Sequence, residues 1–428
     1  MAKTQRKESN NSKTRRASSA NDNGWITIHV KGTPYEMGFQ HGRLLRKQLE
    51  NVKPVMKYLV EKYYKTSVTE YVSRCKKIVS KYLSEWKNII DELKGIRDGC
   101  NKCNDDVISL DYLIAWNMYL SMDEIYNSNG DVQRCSAFIA TGSKTHDGKI
   151  IMAHNTHCDY SIGFISNIVM HLHPSLPGSM PFVMQTIPGL VCSSTDWFIS
   201  ESGIIGCETT ISEINYKPDF ETGVPYFFRI RKAMETGKSL DEYVSIMMDQ
   251  NAGDYACSWL FGDINSGEIM RLELAKNTHG IERTKDGLYY GMNGAVTPEV
   301  MIIETNNTVL NDPNTGSGSR NLRLEQLLNA QKLDLSYSKK VLADHYDYGE
   351  NTFRKGMRGI CKHKECEKGD DFNFAGAVDG KVVDVALAKE MKFIGRMGSS
   401  CGRIFNKKDY PDTPACIKNM PKYKWCKL

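Results

Sequence analysis

The sequence predicts an α+β protein in which a helical block precedes a series of antiparallel strands. Apolar residues recur at helical spacing through residues 43–126, the character changes at residues 127–131 (Asn-Ser-Asn-Gly-Asp), and beyond that point short apolar runs alternate with hairpin-type turns. Helices in blocks, with strands joined by tight turns, belong to α+β rather than alternating α/β architecture. The chain shows no internal repeat and no Rossmann or Walker glycine pattern.

Residues 25–30 form a first short apolar run, broken by Thr27 and His29, and residues 32–42 read as a tight turn leading into a helix, with His41 a core histidine. Val52, Val55, Met56, Leu59, Val60 and Tyr63 fit one helical stripe, and Val79, Leu83, Trp86, Ile90 and Leu93 fit a second. Gly95, Gly99 and residues 101–106 break the pattern before a third helix, N-capped by Ser109 and carrying Leu110, Leu113, Ile114 and Met118. Hairpin turns are then predicted at Asp147-Gly148, Glu201-Ser202-Gly203, Asn265-Ser266-Gly267 and Asp286-Gly287. Helical patterns return at residues 226–236, 240–248 and 321–330, and a last hairpin is predicted around Asp379-Gly380.

Composition narrows the function classes. A chain of 428 residues with 40% hydrophobic and 25% charged residues has ample material for a core, which excludes collagen-like, mucin-like and largely disordered chains. The net charge is +5, but residues 1–24 carry Lys3, Arg6, Lys7, Lys13, Arg15 and Arg16 against only Glu8 and Asp22. That segment reads as a solvated basic tail, and the body is nearly neutral, so no nucleic-acid surface is expected. There is no apolar run long enough for a transmembrane helix and no secretory h-region at the start, so the expected location is cytoplasmic. Thirteen cysteines spread through a long chain read as reduced thiols rather than a disulfide framework.

The best candidate for chemistry is Cys135. It opens a predicted strand directly after a polar turn, in Gln133-Arg134-Cys135-Ser136-Ala137-Phe138. Pairing through the Asp147-Gly148 turn brings the end of the next strand back beside it, with His154, Asn155, His157 and Asp159. A thiol with nearby charges and donors is what nucleophilic catalysis needs. A buried core cysteine at a polar hairpin end fits the same residues.

In order along the chain, Gly32 to Gly42, Cys135-Ser136-Ala137-Phe138, Gly148-Lys149 through His154-Asn155-Thr156, Gly203 through Glu208-Thr209-Thr210, Asp263 through Glu273, Asn293, Ser319-Arg320-Asn321-Leu322-Arg323-Leu324 and Ile360-Cys361-Lys362-His363 resemble the blocks of one family. It is the acyl-coenzyme A:6-aminopenicillanic acid acyltransferase family, with the phospholipase B-like proteins more distantly similar; both are N-terminal-nucleophile hydrolases. The resemblance implies an αββα four-layer sandwich with two antiparallel sheets. It also implies a precursor that cuts itself between Arg134 and Cys135, leaving a helical chain of residues 25–134 (after the tail, 1–24) associated with a catalytic chain of residues 135–428. Carried over residue by residue, Cys135 is the nucleophile and supplies the base through its freed amine, and Asn293 helps form the oxyanion hole. Arg320 or Arg323 polarises the nucleophile region, and Glu208, Thr209 and Thr210 line the site with His154 and Asn155. The sequence departs from the acyltransferases where they have an Asp two residues after the strand's Asn: here stands His157, with Asp159 two further on, so the resemblance implies that either His157 takes that catalytic role or a local shift brings Asp159 in.

The implied activity is hydrolysis or transfer at a linear amide or related acyl bond, on a small-molecule acyl or lipid-like substrate, through a thioester acyl-enzyme, with no cofactor and no metal. The alternative is a family member that has lost catalysis and serves as a zinc-stabilised or partner-binding protein, since Cys100-x-x-Cys103 and Cys361-x-His363-x-x-Cys366 have metal-like spacing. Those halves are far apart, and neither repeats. A third idea, a serine hydrolase at Gly398-Ser399-Ser400-Cys401-Gly402, lacks the helix that a nucleophile elbow needs after it.

Overall fold

The computed structural model describes residues 18–101, 106–126, 135–306 and 310–428. Two sheets stack face to face with helices on both outer sides, giving four layers. The larger sheet has nine strands, running from Ser18–Asp22 and Trp25–Gly32 at one edge through Ile204–Thr210 and Cys257–Asp263 to His279–Thr284 at the other. The smaller has six, in the order Gly287–Gly291, Ser136–Thr141, Ile151–Asn155, Asp379–Asp384, Ile394–Met397 and Cys426–Lys427. Alternation along the strands separates the core between the sheets from those on their outer faces. Ala137, Ile139, Met152, Ile205 and Leu260 pack between the sheets, whereas Phe138, Ala140, Ile151 and Ala153 point outward onto helices Gly316–Ala330 and Leu335–Leu342. The helices of residues 34–126, with Tyr226–Thr236 and Leu240–Met248, cover the nine-stranded sheet.

The Asp147-Gly148 hairpin forms with Ser136 opposite Asn155 and Ala140 opposite Ile151. The turns at residues 201–203 and 265–267 likewise join antiparallel neighbours. Asp286-Gly287 does not close a hairpin: the strands on either side belong to different sheets, and the turn carries the chain across the sandwich. Asp379-Gly380 is not a turn either. Asp379 begins a central strand, where its buried carboxylate accepts from the Thr156 backbone N–H (3.1 Å) and from Lys381 Nζ (2.8 Å). The nine-stranded sheet is also not wholly antiparallel, because Trp25–Gly32 runs parallel to Ile168–Pro174. Parallel neighbours need a long crossover, and the helical block between the two strands provides it. The segment expected to be helical from residue 25 therefore begins with a strand.

Two glycines behave differently from expectation for a packing reason. Gly95 and Gly99 do not break a helix; they lie inside helix Lys87–Cys100, facing Gly38 and Gly42 of helix Pro34–Leu44. A Cβ at Gly95 would stand 2.2 Å from the Tyr35 carbonyl oxygen, and one at Gly38 would stand 2.0 Å from that of Glu92. The two helices touch backbone to backbone, which only glycine permits. The second predicted stripe is divided, with helix Val68–Val79 ending in a 3-10 turn before Lys87–Cys100, and Leu83 is exposed. Helix Gly316–Ala330 starts earlier than expected because the Thr315 side chain caps it. Among the described residues no helix is long and apolar enough to cross a membrane.

Candidate active site

Cys135 stands immediately before the Ser136–Thr141 strand and is buried. Arg320 reaches it from helix Gly316–Ala330: Nη1 donates to the Cys135 carbonyl oxygen (2.7 Å) and to Ser136 Oγ (3.0 Å), and Nη2 donates to Asn293 Oδ1 (2.9 Å). Its Nε bonds back to the Gly316 carbonyl at 2.8 Å, so the fork is held from behind. Arg323 turns elsewhere, into a two-pronged pair with Asp344. Of the two candidate arginines only Arg320 lies at the thiol.

Asn293 has φ +78°, a left-handed conformation that asparagine tolerates better than most residues. The bend turns its Nδ2 onto the Thr210 carbonyl (2.8 Å), while Ser212 Oγ donates to its own carbonyl (2.7 Å). Cys135, Asn293 and Arg320 are thus brought together from three separate parts of the chain.

On the other side, Cys135 Sγ lies 3.9 Å from Glu208 Oε1. Glu208 also accepts from Cys257 Sγ (3.3 Å) and Thr210 Oγ1 (3.4 Å), and burial pushes its carboxyl up to about 7. The Cys135 thiol is pushed well above its ordinary value, chiefly by burial and then by the Glu208 carboxylate, with a hydrogen bond from the His157 backbone N–H and the Lys381 charge acting the other way. Lys381 is itself buried against Asp379 and Thr156. It faces His154 across the strand pair.

The residues of the second strand divide by alternation. His154 points toward the nine-stranded sheet, with Nε2 against the Glu208 carbonyl oxygen (3.0 Å), and burial followed by Lys381 keeps it neutral. Asn155 points the other way. Its Nδ2 donates to the Leu342 and Ile360 carbonyls, and its Oδ1 accepts from Ser400 Oγ, so its side chain serves the fold and not the thiol. The His157 ring also turns to the Ile360 carbonyl (3.0 Å); only its backbone meets Cys135. Asp159 leaves the site altogether, capping a short helix through the Ser161 N–H and pairing with Lys62 (3.1 Å) and Tyr63 (2.8 Å). The strand breaks after Asn155, and Asp159 pairs with Ala375 in a separate two-stranded ladder, its side chain facing the helical layer. Thr210 joins Glu208 to Tyr255 (3.1 Å). Thr209 Oγ1 is buried with no hydrogen-bond partner, packed where a Gly291 Cβ would be.

Sequence reasoning missed Asp379, Lys381, Tyr255 and Cys257 around this site. A charged pair two residues apart at the head of an apolar run, Asp379 and Lys381, was the available signal. His41 is a core histidine, with Nε2 accepting from the Gly189 N–H at 3.0 Å. Ser400 sits in a turn after strand Ile394–Met397, with no helix following it. Arg134, Cys103, residues 127–131 and most of the basic tail lie outside the described residues. Among the described residues, two groupings are of metal-ligating type: Cys135, His154 and Glu208, and a four-residue set of His345, Cys361, His363 and Cys401. Among the described residues, the zinc set suggested by spacing does not assemble. Cys100 bonds to the Arg97 carbonyl within its own helix, and Cys366 turns to Glu365.

The site and the layers define an αββα protein with a buried thiol at the head of a central strand. No family model matches the chain. Over 255 residues, 56% of this chain, it is 23% identical to an uncharacterised protein of Archaeoglobus fulgidus, and the match spans 41% of that protein's length. Among solved structures, it is similar to the C2A mutant of conjugated bile acid hydrolase from Clostridium perfringens, with 11% identity, 61% of this chain and 89% of that one covered, and a TM-score of 0.34. It is also similar to penicillin V acylase from Agrobacterium tumefaciens, with 11% identity, 61% and 83% covered, and a TM-score of 0.36. At these TM-scores the likeness assigns no reaction.

Proposed function

We propose that this chain is a self-processing hydrolase or acyltransferase of linear amide or related acyl bonds, with Cys135 as nucleophile. The observation that carries the reading is a buried cysteine at the start of a strand whose carbonyl is held by Arg320, which also holds Asn293, and whose thiol faces Glu208. In maturation, Cys135 Sγ attacks the Arg134 carbonyl carbon, the peptide nitrogen leaves as an amine, and water then hydrolyses the thioester. The products are an Arg134 carboxylate and a Cys135 carrying both a free thiol and a free amine.

That amine titrates near ~7.7–8.0, so it can take the thiol proton at neutral pH, replacing the solvation that burial denies the thiolate. The thiolate attacks the substrate carbonyl. Asn293 Nδ2, which spends one N–H on the Thr210 carbonyl, offers its second to the developing oxyanion, and Arg320 holds that amide in place. The amine returns its proton to the leaving group, and water or an acceptor amine releases the acyl group. Arg320 anchors the nucleophile's backbone in both steps.

An apolar hollow lined by Trp116, Tyr119, Leu120, Ile162, Leu190 and Tyr226 suits a hydrophobic acyl group. Tyr226 packs against Tyr255, with ring centroids 4.4 Å apart, and Tyr255 joins the site through Thr210. The cut chains would stay associated. Strand Trp25–Gly32 is built into the sheet, and Glu92 forms a buried two-pronged pair with Arg231 (3.0 and 2.8 Å).

Intact mass spectrometry and N-terminal sequencing test this. The expected result is two chains, one beginning at Cys135, with Cys135→Ala remaining a single inactive chain. Fully active material consisting only of uncut chain would refute self-processing.

A further inference from the structure

Away from the thiol site, the stretch from Asp344 to Phe374 dips from the surface into the interior at residues 360–365 with only two-residue strands and single 3-10 turns of its own. Stretches this long without regular structure are uncommon in a compact fold. His345, Cys361 and His363 from this stretch meet Cys401 from the turn after strand Ile394–Met397, and their four donor atoms all lie within 4.8 Å of one another. We propose that His345, Cys361, His363 and Cys401 form a structural zinc site that ties the 344–374 stretch to the 398–402 turn.

The distances fit the ion. Zinc bonds of ~2.3 Å to sulfur and ~2.0–2.1 Å to nitrogen at a tetrahedral angle place sulfur and nitrogen about 3.6 Å apart. His363 Nε2 stands 3.5 Å from Cys361 Sγ and 3.4 Å from Cys401 Sγ. The other ring nitrogen, Nδ1, is bonded to Glu365 Oε1 (3.1 Å), and Glu365 is fixed in turn by Tyr160 (2.6 Å) and Arg403 (2.9 Å). A carboxylate behind the imidazole is the arrangement that sets a metal-binding tautomer. His345 Nε2 is closed off from solvent and has no hydrogen-bond partner.

Charge balances as well. Each cysteine releases its proton to solvent on binding and both imidazoles bind neutral, so two thiolates cancel the dication and no net charge is buried. With all four positions filled by protein, the ion organises structure and takes no part in chemistry. Its effect reaches the thiol site indirectly. Ile360, beside Cys361, accepts from Asn155 and His157, and Ser400, beside Cys401, donates to Asn155. The inference does not depend on Cys135 being a nucleophile.

The test uses tag-free full-length protein purified under reducing conditions. Metal analysis should return about one zinc per chain. X-ray absorption at the zinc edge should show two sulfur and two nitrogen neighbours, and cobalt exchange should give thiolate-to-cobalt charge-transfer bands. His345→Ala and Cys401→Ser should abolish stoichiometric binding, whereas Cys100→Ser and Cys366→Ser should keep it. Wild-type protein that holds no stoichiometric metal after zinc supplementation overturns the proposal, as does a Cys361–Cys401 disulfide mapped in the native protein. The absorption measurement on wild type decides the matter even where a variant fails to fold.

Discussion

Replacing Glu208 by Gln tests the electrostatics around position 135. Burial moves this carboxyl from its ordinary 4.5 to about 7. Because the folded value is the higher one, both states hold the proton below about pH 4.5 and the group then contributes nothing to stability. Between about 4.5 and 7 the unfolded chain releases its proton first, so stability falls as pH rises; above 7 the deficit is complete. At 1.36 kcal/mol per unit, it amounts to about 3 kcal/mol at pH 8 and under about 1 kcal/mol at pH 5. Gln mimics the protonated carboxyl and carries no such deficit. Urea unfolding of Glu208→Gln and its parent, both in a Cys135→Ala background so that neither chain is cut, should show Gln stabilising by these amounts. An identical difference between the two proteins at pH 5 and pH 8 would refute the reasoning, because the carboxyl would then titrate alike in the folded and unfolded chains.

Asn293→Gly keeps the left-handed backbone at no steric cost and removes the amide that Arg320 holds. Turnover should fall ~10²–10³-fold with little change in melting temperature, and unchanged kcat/KM would remove Asn293 from the mechanism. Gly95→Ala forces a methyl to within 2.2 Å of the Tyr35 carbonyl oxygen and should cost about 1–3 kcal/mol by thermal denaturation. Gly316→Ala, where the nearest atom is 3.6 Å away, should be tolerated. Arg231→Met leaves Glu92 buried and unpaired and should destabilise by roughly 3–5 kcal/mol, while Arg231→Met with Glu92→Leu should recover most of that. Equal losses in the single and double variants would show that packing, not charge, governs that contact.

Local signals were readable where their cause is local. The Asp147-Gly148 hairpin fixes the register that places Ser136 opposite Asn155, and the helical stripe of Val52, Val55, Met56 and Leu59 is buried as its spacing requires. The same signals misled where a distant partner decides the outcome. Gly95 and Gly99 look like helix breakers until Gly38 and Gly42 are set against them, and Asp379-Gly380 looks like a turn until Thr156 and Lys381 satisfy the carboxylate. Asp159 lies four residues beyond the Asn155 that pairs with Ser136, and its side chain is taken by Lys62, which no spacing within the hairpin foretells.

Periodicity and turn chemistry act over a few residues, through backbone dihedrals and the side chains on one face, and at that range the sequence alone determined the helical block, most of the hairpins and Cys135 at the head of a strand. Tertiary structure alone decided which arginine reaches that thiol, which way each residue after Asn155 points, and that His345 and Cys401, rather than Cys100 and Cys366, join Cys361 and His363. Those outcomes depend on contacts between residues far apart in the chain. Such contacts form only when burying the apolar faces brings whole layers together, and nothing in the local spacing specifies them.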